Sequence, residues 1–256
     1  MAPERDTPGR VLGVAALVCV VCAVLVSAAV VLLRPIQDRN ALLQRQRNIL
    51  EVAGIYRPDA SVESQFSRIE AHLVELESGE YVEGGDAIRF DIAKASRDPK
   101  QSDVVPEVTD VARINRRPRT MPVFLVRGEE GLETVILPTH GYGLWSTMYA
   151  YVALDSRGER VKGVTFYSHA ETPGLGAEIE NARWRGSWVG KRLVDDAGQV
   201  RFDIAKGLPA EAEADYHVDA ISGATLTGNG VENMIHYWLG EQGYGPFLAR
   251  LRSGGA

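Results

Sequence analysis

Hydrophobic residues are spread unevenly along the chain, and one long apolar run stands out near its start. Residues Val11–Leu33 read VLGVAALVCVVCAVLVSAAVVLL, which is 23 residues without a charge. Because a helix of about 20 apolar residues crosses the hydrocarbon core of a bilayer, this run predicts a transmembrane helix. The alternative is a secretory signal peptide, whose apolar region is typically about 7–15 residues long. Here Arg34-Pro35 follows the run instead of a clear cleavage site.

Periodic apolar residues after this run predict two further helices. Ala41–Ala53 carries leucine and isoleucine among arginine and glutamine, which indicates a juxtamembrane helix that ends near Gly54. A second stripe, with spacings of three and four residues, predicts an amphipathic helix that ends before Gly79. The stripe consists of Val62, Phe66, Ile69, Leu73 and Leu76.

Beyond these helices, short segments rich in β-branched and aromatic residues dominate. The predicted strands are Ile88–Ala93, Val123–Val126, Thr134–Leu137, Met148–Leu154, Val161–Tyr167 and Val200–Ile204. The predicted helices among and after them are Glu178 to about Val189, Leu226–Leu239 and Phe247–Leu251. Ser96–Pro118 lacks periodicity and predicts a loop. The fold class is therefore α+β, with one N-terminal transmembrane helix followed by a mostly antiparallel sheet with flanking helices.

These elements predict the domain organisation. It comprises an N-terminal tail (1–10), the transmembrane helix (11–33), a juxtamembrane helix with a linker (34–60), and an extramembrane domain (61–256) that is long enough for a sizeable core. The hexapeptide RFDIAK occurs at Arg89–Lys94 and again at Arg201–Lys206. Since the match does not extend further, it indicates two similar strands and not a duplication.

Charge and residue content exclude several classes of function. The net charge is −6 and no basic cluster is interleaved with aromatic residues, which argues against a nucleic-acid partner. Cys19 and Cys22 lie within the apolar run on one helix face, where packing against other helices is the simplest role for two thiols. His169 and Glu171 have no third ligand nearby, so no metal site is predicted. The G-x-S-x-G signature of many hydrolases is missing.

The most informative polar segment is a turn near the C-terminus, Asp219–Thr227, which reads DAISGATLT. It leads into the predicted C-terminal helix, whose first turn would start near Thr225. Unpaired N–H groups at a helix start favour an anion, and Gly223 and Ala224 leave room for a phosphate. No P-loop lysine and no G-x-G-x-x-G accompany the turn, which disfavours ATP-like binding. Two interpretations remain, a site for a phosphate-bearing ligand or an ordinary capped surface helix.

A resemblance to known proteins bears on this choice. Asp219–Thr225 resembles the flavinylation motif of proteins that carry FMN through a phosphoester bond to threonine, and His169–Gly176 (HAETPGLG) resembles the flavin-contacting loop of the same FMN-binding domain. The similarity continues through Asn48–Gly54, Gly141–Ser146, Lys206-Gly207, Trp238–Gly240 and Gly245–Leu248. Together these segments resemble the C subunits of sodium-translocating NADH:quinone reductases. The related G subunits of Rnf-type ferredoxin:NAD reductases are the alternative family.

This resemblance implies one covalent FMN per chain, held by the Thr225 hydroxyl through the FMN phosphate, and an FMN-binding core at about 120–240. It implies that Ser222, Gly223, Ala224 and Thr227 surround the phosphate, and that Glu171, Thr172, Gly174 and Leu175 contact the ring or the ribityl chain. Trp145 and Lys206 are further candidates, as an aromatic wall and as a cation, although a core tryptophan and a solvated lysine are equally compatible with the sequence. Asp219 would serve transferase recognition or orient the turn, and an Asx turn is the simpler alternative.

The function implied is that of an electron-carrying component of a membrane NADH:quinone oxidoreductase coupled to sodium export. Such a component relays electrons from an iron–sulfur centre to another flavin and is not catalytically complete alone. The implied partners are the other subunits of the complex, a flavin transferase during maturation, and the membrane. A rival of a different class is a non-redox membrane-anchored binding or assembly module whose turn only caps a helix.

The implied location is the bacterial inner membrane, with a single span and the FMN domain on the periplasmic side. The charges beside the span predict the opposite orientation, with the C-terminal side in the cytoplasm. Arg5 and Arg10 precede it, whereas Arg34, Arg39, Arg45 and Arg47 follow it, and arginine is enriched on the cytoplasmic side. Long domains can cross the membrane largely regardless of such flanking charges, so the periplasmic orientation stays the expectation.

Overall fold

The structure is a computed structural model, and it describes residues 7–129 and 131–254. The chain divides into two compact units, one that extends to Gln44 and one that begins at Arg45. Helix α1, Pro8–Val52, contains both the predicted span and the predicted juxtamembrane helix. In the described ranges it is the one helix that is long and apolar enough to cross a membrane. Its large apolar side chains from Val11 to Leu33 are exposed, as lipid contact requires.

The second unit is built on a six-stranded antiparallel sheet in the order β2-β1-β5-β6-β7-β8. Its strands are β1 (Ile69–Glu75), β2 (Tyr81–Val82), β5 (Thr120–Gly128), β6 (Gly131–Tyr142), β7 (Thr147–Asp155) and β8 (Val161–Ser168). Two small pairs complete the strands: β3 (Ser102–Val104) with β4 (Arg116–Pro118), antiparallel, and β9 (Asp203–Ala205) with β10 (His217–Asp219), parallel. The predicted fold class is confirmed.

Within residues 7–129 and 131–254, five shorter helices surround the sheet: α2 (Val62–Phe66), α3 (Ile92–Arg97), α4 (Ala182–Gly186), α5 (Thr225–Leu239) and α6 (Gly245–Arg252). Two turns of 3₁₀-helix occur at Gly176–Glu180 and Glu211–Glu213. The predicted helices at Leu226–Leu239 and Phe247–Leu251 are confirmed, each within a residue or two of its observed start and end.

Both faces of the sheet are covered. One face packs against α5 and α6, in a core that includes Trp238 and Tyr244. The other face packs against the end of α1 and against α2, through Ile49, Leu50 and Phe66. Since the central strands are buried on both sides, their sequences are nearly continuous hydrophobic runs, which is why they could be predicted as strands.

The predicted amphipathic helix over Val62–Leu76 is wrong. Only Val62–Phe66 is helical, and Ile69–Glu75 is strand β1, which pairs along its whole length with β5. Residues four apart share a face in a strand as well as in a helix. The spacing of Ile69 and Leu73 therefore does not distinguish a strand from a helix. Leu76 is fully buried on the opposite face of the sheet from Ile69.

Three other expectations need correction. The predicted strand Ile88–Ala93 is wrong, because Asp91 caps helix α3 by accepting a hydrogen bond from the Lys94 N–H. The two RFDIAK segments are therefore a helix start and, near Asp203, a strand. The predicted loop Ser96–Pro118 contains β3, β4 and the end of α3. The helix predicted from Glu178 is shorter, since Asn181 interrupts it and caps α4.

Two prolines face each other across neighbouring central strands. The β5–β6 ladder ends at the pair Phe124 and Ile136, and its continuation would place Pro122 opposite Pro138. Proline has no N–H, so both ladder hydrogen bonds of that pair are lost. The hydroxyl of Tyr244 lies 3.1 Å from the Pro122 carbonyl and 2.9 Å from the Pro138 carbonyl. The Tyr244 side chain, which follows α5, thus supplies a donor where the two prolines leave the ladder without one.

Donors from outside the sheet also satisfy the backbone of β6 after Ile136, where β6 no longer pairs with β5. Trp238 Nε1 donates to the His140 carbonyl, and the Tyr142 N–H donates to the Ala112 carbonyl at 2.8 Å. These contacts keep the buried backbone of β6 satisfied where β5 has moved away. The strand therefore reaches Tyr142, from which the loop to β7 begins.

We expect Tyr244→Phe to lower the free energy of unfolding by about 1–3 kcal/mol, because the buried Pro122 and Pro138 carbonyls lose the hydroxyl proton that lies between them. Urea unfolding of the full chain in detergent measures the change. Tyr237→Phe is the matched control, since the Tyr237 hydroxyl is buried without a partner among the described residues and its removal should cost little. Equal stabilities of the two variants would contradict the role assigned to the Tyr244 hydroxyl.

Candidate functional site

The hydroxyl-rich turn connects the small parallel pair to helix α5. Strand β10 ends at Asp219, Gly223 has a φ of +77°, and α5 begins at Thr225. A positive φ is a conformation that glycine adopts without strain, so Gly223 allows the chain to reverse directly before the helix. Ser222, Gly223 and Thr225 are exposed there, while Ala224 is buried.

The start of α5 has no side-chain cap. Its N-cap residue is Ala224, which offers no hydrogen-bond acceptor to the first turn. Among the described residues none forms a hydrogen bond with the side chain of Ser222 or Thr225. By the geometry of an α-helix, the first N–H groups therefore remain available at the exposed end. The interpretation of the motif as an ordinary capped helix is thus not supported.

Two loops lie against this end of α5. The loop between β6 and β7 carries Trp145, whose side chain is 63% exposed. The loop after β8 carries Glu171, Thr172, Gly174 and Leu175, and Gly174 has a φ of +74°. A Cβ on Gly223 would lie 3.2 Å from Leu175 Cδ2, so this loop touches the motif directly.

Glu171 and Thr227 form a buried pair within this arrangement. Thr227 Oγ1 donates to Glu171 Oε2 at 2.6 Å, and the two residues are 1% and 4% exposed in that order. Glu171 Oε1 accepts from the backbone N–H groups of Leu144 and Trp145 at 3.1 and 3.0 Å. The structure thus brings Glu171, Thr227 and the Trp145 loop together.

Asp219 and Lys206 are placed by the parallel pairing of β9 and β10. Asp219 pairs with Ala205 in the register, so Lys206 follows at the same end of the pair as the motif. Both residues are exposed. The Asp219 carbonyl accepts from Trp184 Nε1 at 2.8 Å, which fixes the end of β10 directly before the turn.

His169 does not form a shared ligand set with Glu171. Its Nε2 lies 2.9 Å from Glu180 Oε1, and its Nδ1 accepts from the Glu171 N–H at 3.1 Å. Both ring nitrogens are thus engaged within the loop. In the described part of the chain, no group of three or more His, Cys, Asp or Glu side chains is arranged to hold a metal ion.

Sequence reasoning missed the residues that let the loops approach the helix. A Cβ on Gly143 would lie 2.5 Å from Glu171 Oε1, and one on Gly176 would lie 2.5 Å from Thr227 Oγ1. A Cβ on Gly230, in α5, would lie 2.7 Å from the Tyr142 carbonyl. Arg113 was also missed, and its guanidinium donates to the Gly143 carbonyl at 2.9 Å. These glycines are visible in the sequence, but their contacts depend on tertiary structure.

The arrangement matches the chemistry of a flavin nucleotide. Free N–H groups at the start of a 15-residue helix and a nearby lysine suit a phosphate. Exposed Trp145 and Leu175 offer apolar surface for a planar ring. The Thr225 hydroxyl lies at the helix end where the phosphate would sit.

Comparison with known sequences identifies the class of this domain. The sequence model of the FMN-binding domain matches residues 143–240, a range that contains the Trp145 loop, the Glu171 loop and the first residues of α5. The chain therefore contains an FMN-binding domain, which follows a helix long and apolar enough to cross a membrane.

Full-length relatives identify the family. The C subunit of the Na(+)-translocating NADH-quinone reductase of Yersinia pestis is 48% identical over 98% of this chain and 96% of that protein. The protein of the same name from Pseudomonas aeruginosa is 46% identical over the full length of both chains. The crystal structure of Shewanella oneidensis NqrC superposes with a TM-score of 0.75 at 33% identity, covering 81% of this chain and 96% of that one. The chain belongs to the NqrC family, the C subunits of Na(+)-translocating NADH-quinone reductases, which confirms the predicted family.

Proposed function

We propose that this chain carries one FMN on the Thr225 side chain, linked through the FMN phosphate, and relays electrons within a sodium-exporting NADH:quinone reductase. The observation that carries the proposal is the exposed Thr225 hydroxyl at the uncapped start of α5, inside the matched FMN-binding domain. Bound there, FMN supplies one-electron carrier chemistry between an upstream iron–sulfur centre and another flavin.

The chain's own residues divide into two groups in this proposal. Exposed residues at the helix start, on the two loops and directly after β9 contact the cofactor: Ser222, Gly223, Thr225, Thr172, Gly174, Leu175, Trp145 and Lys206. Glu171 and Thr227 are buried, and their hydrogen bonds hold the loops and the helix start that carry these contacts in place. Ala224, the buried N-cap residue, has no polar side chain that would compete with a phosphate for the first N–H groups of the helix.

Attachment requires an activated phosphate, because a hydroxyl does not displace water from a free phosphate at an appreciable rate. A flavin dinucleotide is such a donor. The Thr225 Oγ–P bond forms as the bond from that phosphorus to the departing nucleoside monophosphate breaks, and the hydroxyl proton passes to a base of the flavin transferase. Asp219, exposed beside the turn, is available for recognition by that enzyme.

We further propose that the other partners are the remaining subunits of the complex and the bacterial inner membrane, with the FMN domain on the periplasmic side. The single apolar helix at the N-terminus supports one membrane crossing. One span without an internal carboxylate offers no ion path, so sodium movement would occur in other subunits.

The intact mass of the full chain, produced together with a flavin transferase, tests the attachment. We expect the mass to exceed that of the polypeptide by one FMN less one water. We also expect flavin fluorescence to stay with the protein band after denaturing electrophoresis. A colourless protein with the mass of the bare polypeptide, obtained while a known acceptor is flavinylated in the same cells, would overturn the proposal.

A further inference from the structure

Glu171 is a buried carboxylate whose position is unusual. It lies in the loop after β8 and is 4% exposed. Within the ranges that the structure describes, no lysine, arginine or histidine side chain forms an ion pair with it. Buried carboxylates generally need a cation or several donors, so its hydrogen bonds must replace the missing cation.

Those hydrogen bonds tie together three segments of the FMN-binding domain. Oε1 accepts from the N–H groups of Leu144 and Trp145, and Oε2 accepts from the hydroxyl of Thr227. All three contacts are donations to the oxygens of the Glu171 carboxylate. One side chain therefore connects its own loop, the Trp145 loop and the first turn of α5.

The backbone of two glycines lies close to the Glu171 carboxylate. A Cβ on Gly143 would lie 2.5 Å from Oε1, and a Cβ on Gly176 would lie 2.8 Å from Oε2. Both glycines thus permit the backbone to close around the carboxylate. Such close packing fixes the positions of the donors and excludes water from the group.

We propose that Glu171 is a positioning residue that clamps the Trp145 loop to the first turn of α5 and whose buried negative charge lowers the reduction potential of the bound flavin. The inference rests on the proposed function, because it assigns the flavin to this site. Reduction adds negative charge to the flavin, and a nearby carboxylate with little solvent screening opposes that addition. The clamp itself exists in the polypeptide and needs no flavin.

The clamp is tested on the flavin-free full chain, in a Thr225→Ala background. Hydrogen exchange at the Leu144 and Trp145 amides, followed by mass spectrometry of that peptide, is the readout. We expect Glu171→Ala to speed exchange at these amides by about tenfold or more, since their acceptor is lost. Glu171→Gln should keep them protected, because its amide oxygen can accept both N–H groups and its NH₂ can donate to Thr227. Unchanged exchange in Glu171→Ala would overturn the clamp.

The charge is tested on the flavin-loaded full chain by a spectroscopic redox titration. Glu171→Gln keeps the size and the hydrogen bonds but removes the charge. We expect its reduction equilibrium to become about tenfold more favourable, which for one electron raises the midpoint potential by about 59 mV. Glu180→Gln is the matched control, since the Glu180 side chain is 59% exposed and its charge is screened by water.

The outcomes separate this inference from the proposed function. An unchanged midpoint potential in Glu171→Gln, or an equal shift in Glu180→Gln, would overturn the electrostatic role. A chain that cannot be flavinylated at all would contradict the Thr225 assignment and with it the electrostatic role. The exchange experiment would still decide whether Glu171 holds the two loops to α5.

Discussion

Replacing Thr225 with valine is expected to abolish covalent flavin completely while leaving the fold intact. Valine has nearly the shape of threonine but lacks the oxygen that would form the phosphate ester. The residue is exposed at the start of α5, and in the described structure its hydroxyl stabilises no neighbour, so the variant loses little stability. Intact mass and in-gel fluorescence of the chain matured with a flavin transferase measure the loss.

Two companion variants make this result specific. Thr225→Ser keeps a hydroxyl at the same position and should retain at least part of the covalent flavin. Ser222→Ala removes the neighbouring exposed hydroxyl of the same turn and should leave the modified peptide in place. If Thr225→Val kept the full mass increase, or if fragmentation located the flavin on Ser222, the acceptor would be a different residue.

The candidate site could be predicted in large part because its main feature is local in the sequence. The turn and the helix that follows it are contiguous, and the periodic residues of α5 mark the helix without any tertiary information. The role of Glu171 could not be predicted in this way. Its partner Thr227 is 56 residues away, and only the folded chain shows that their side chains meet.

Strands could be predicted where burial alone produces their hydrophobic pattern. They could not be predicted where a side chain distant in sequence supplies a hydrogen bond that proline removes. The predicted strands Val123–Val126 and Thr134–Leu137 end beside Pro122 and Pro138, and proline removes a ladder hydrogen bond. The real strands continue through both prolines. The hydroxyl of Tyr244, more than 100 residues away in sequence, lies within hydrogen-bond distance of both carbonyls and has one proton to donate.

The helix predicted over Val62–Leu76 failed for a different physical reason. Spacings of four residues are shared by helices and strands, and the apolar–polar alternation of β1 covers only Ile69–Leu73 before the buried pair Leu73-Val74 interrupts it. Strand β1 is defined by its seven-residue pairing with β5. Such pairing partners lie about 50 residues apart in the chain and leave no local signal.

Acidification is expected to destabilise the FMN-binding domain through one buried histidine. His140, on β6, is 3% exposed and its ring packs against Tyr149 and Trp238. Its Nδ1 has no hydrogen-bond partner among the described residues. Burial lowers the pKa of His140 from 6.5 to about 3, since a charged imidazolium would be separated from water.

The direction of the pH effect follows from proton uptake. Between pH 6.5 and about 3 the unfolded chain binds a proton at position 140 and the folded chain does not, so stability falls as the pH falls through this window. From pH 7 to 4.5 the loss should be about 2–3 kcal/mol. Asp98, Asp103 and Asp196 have pKa values held below 3.8 by hydrogen bonds, so their contribution is lost only at lower pH.

Urea unfolding of the full chain in detergent at pH 7 and pH 4.5 measures this effect. His140→Leu keeps an apolar side chain of similar size in the pocket and should reduce the difference between the two pH values by about 2 kcal/mol. His72→Leu is the matched control, because the His72 side chain on β1 is 41% exposed to water. If His140→Leu showed the same pH dependence as the unmodified chain, the acid sensitivity would have to arise from other groups. If the pH dependence of stability were reduced in His140→Leu and not in His72→Leu, the acid sensitivity would be assigned to His140. This histidine packs beside Trp238, where β6 has separated from β5.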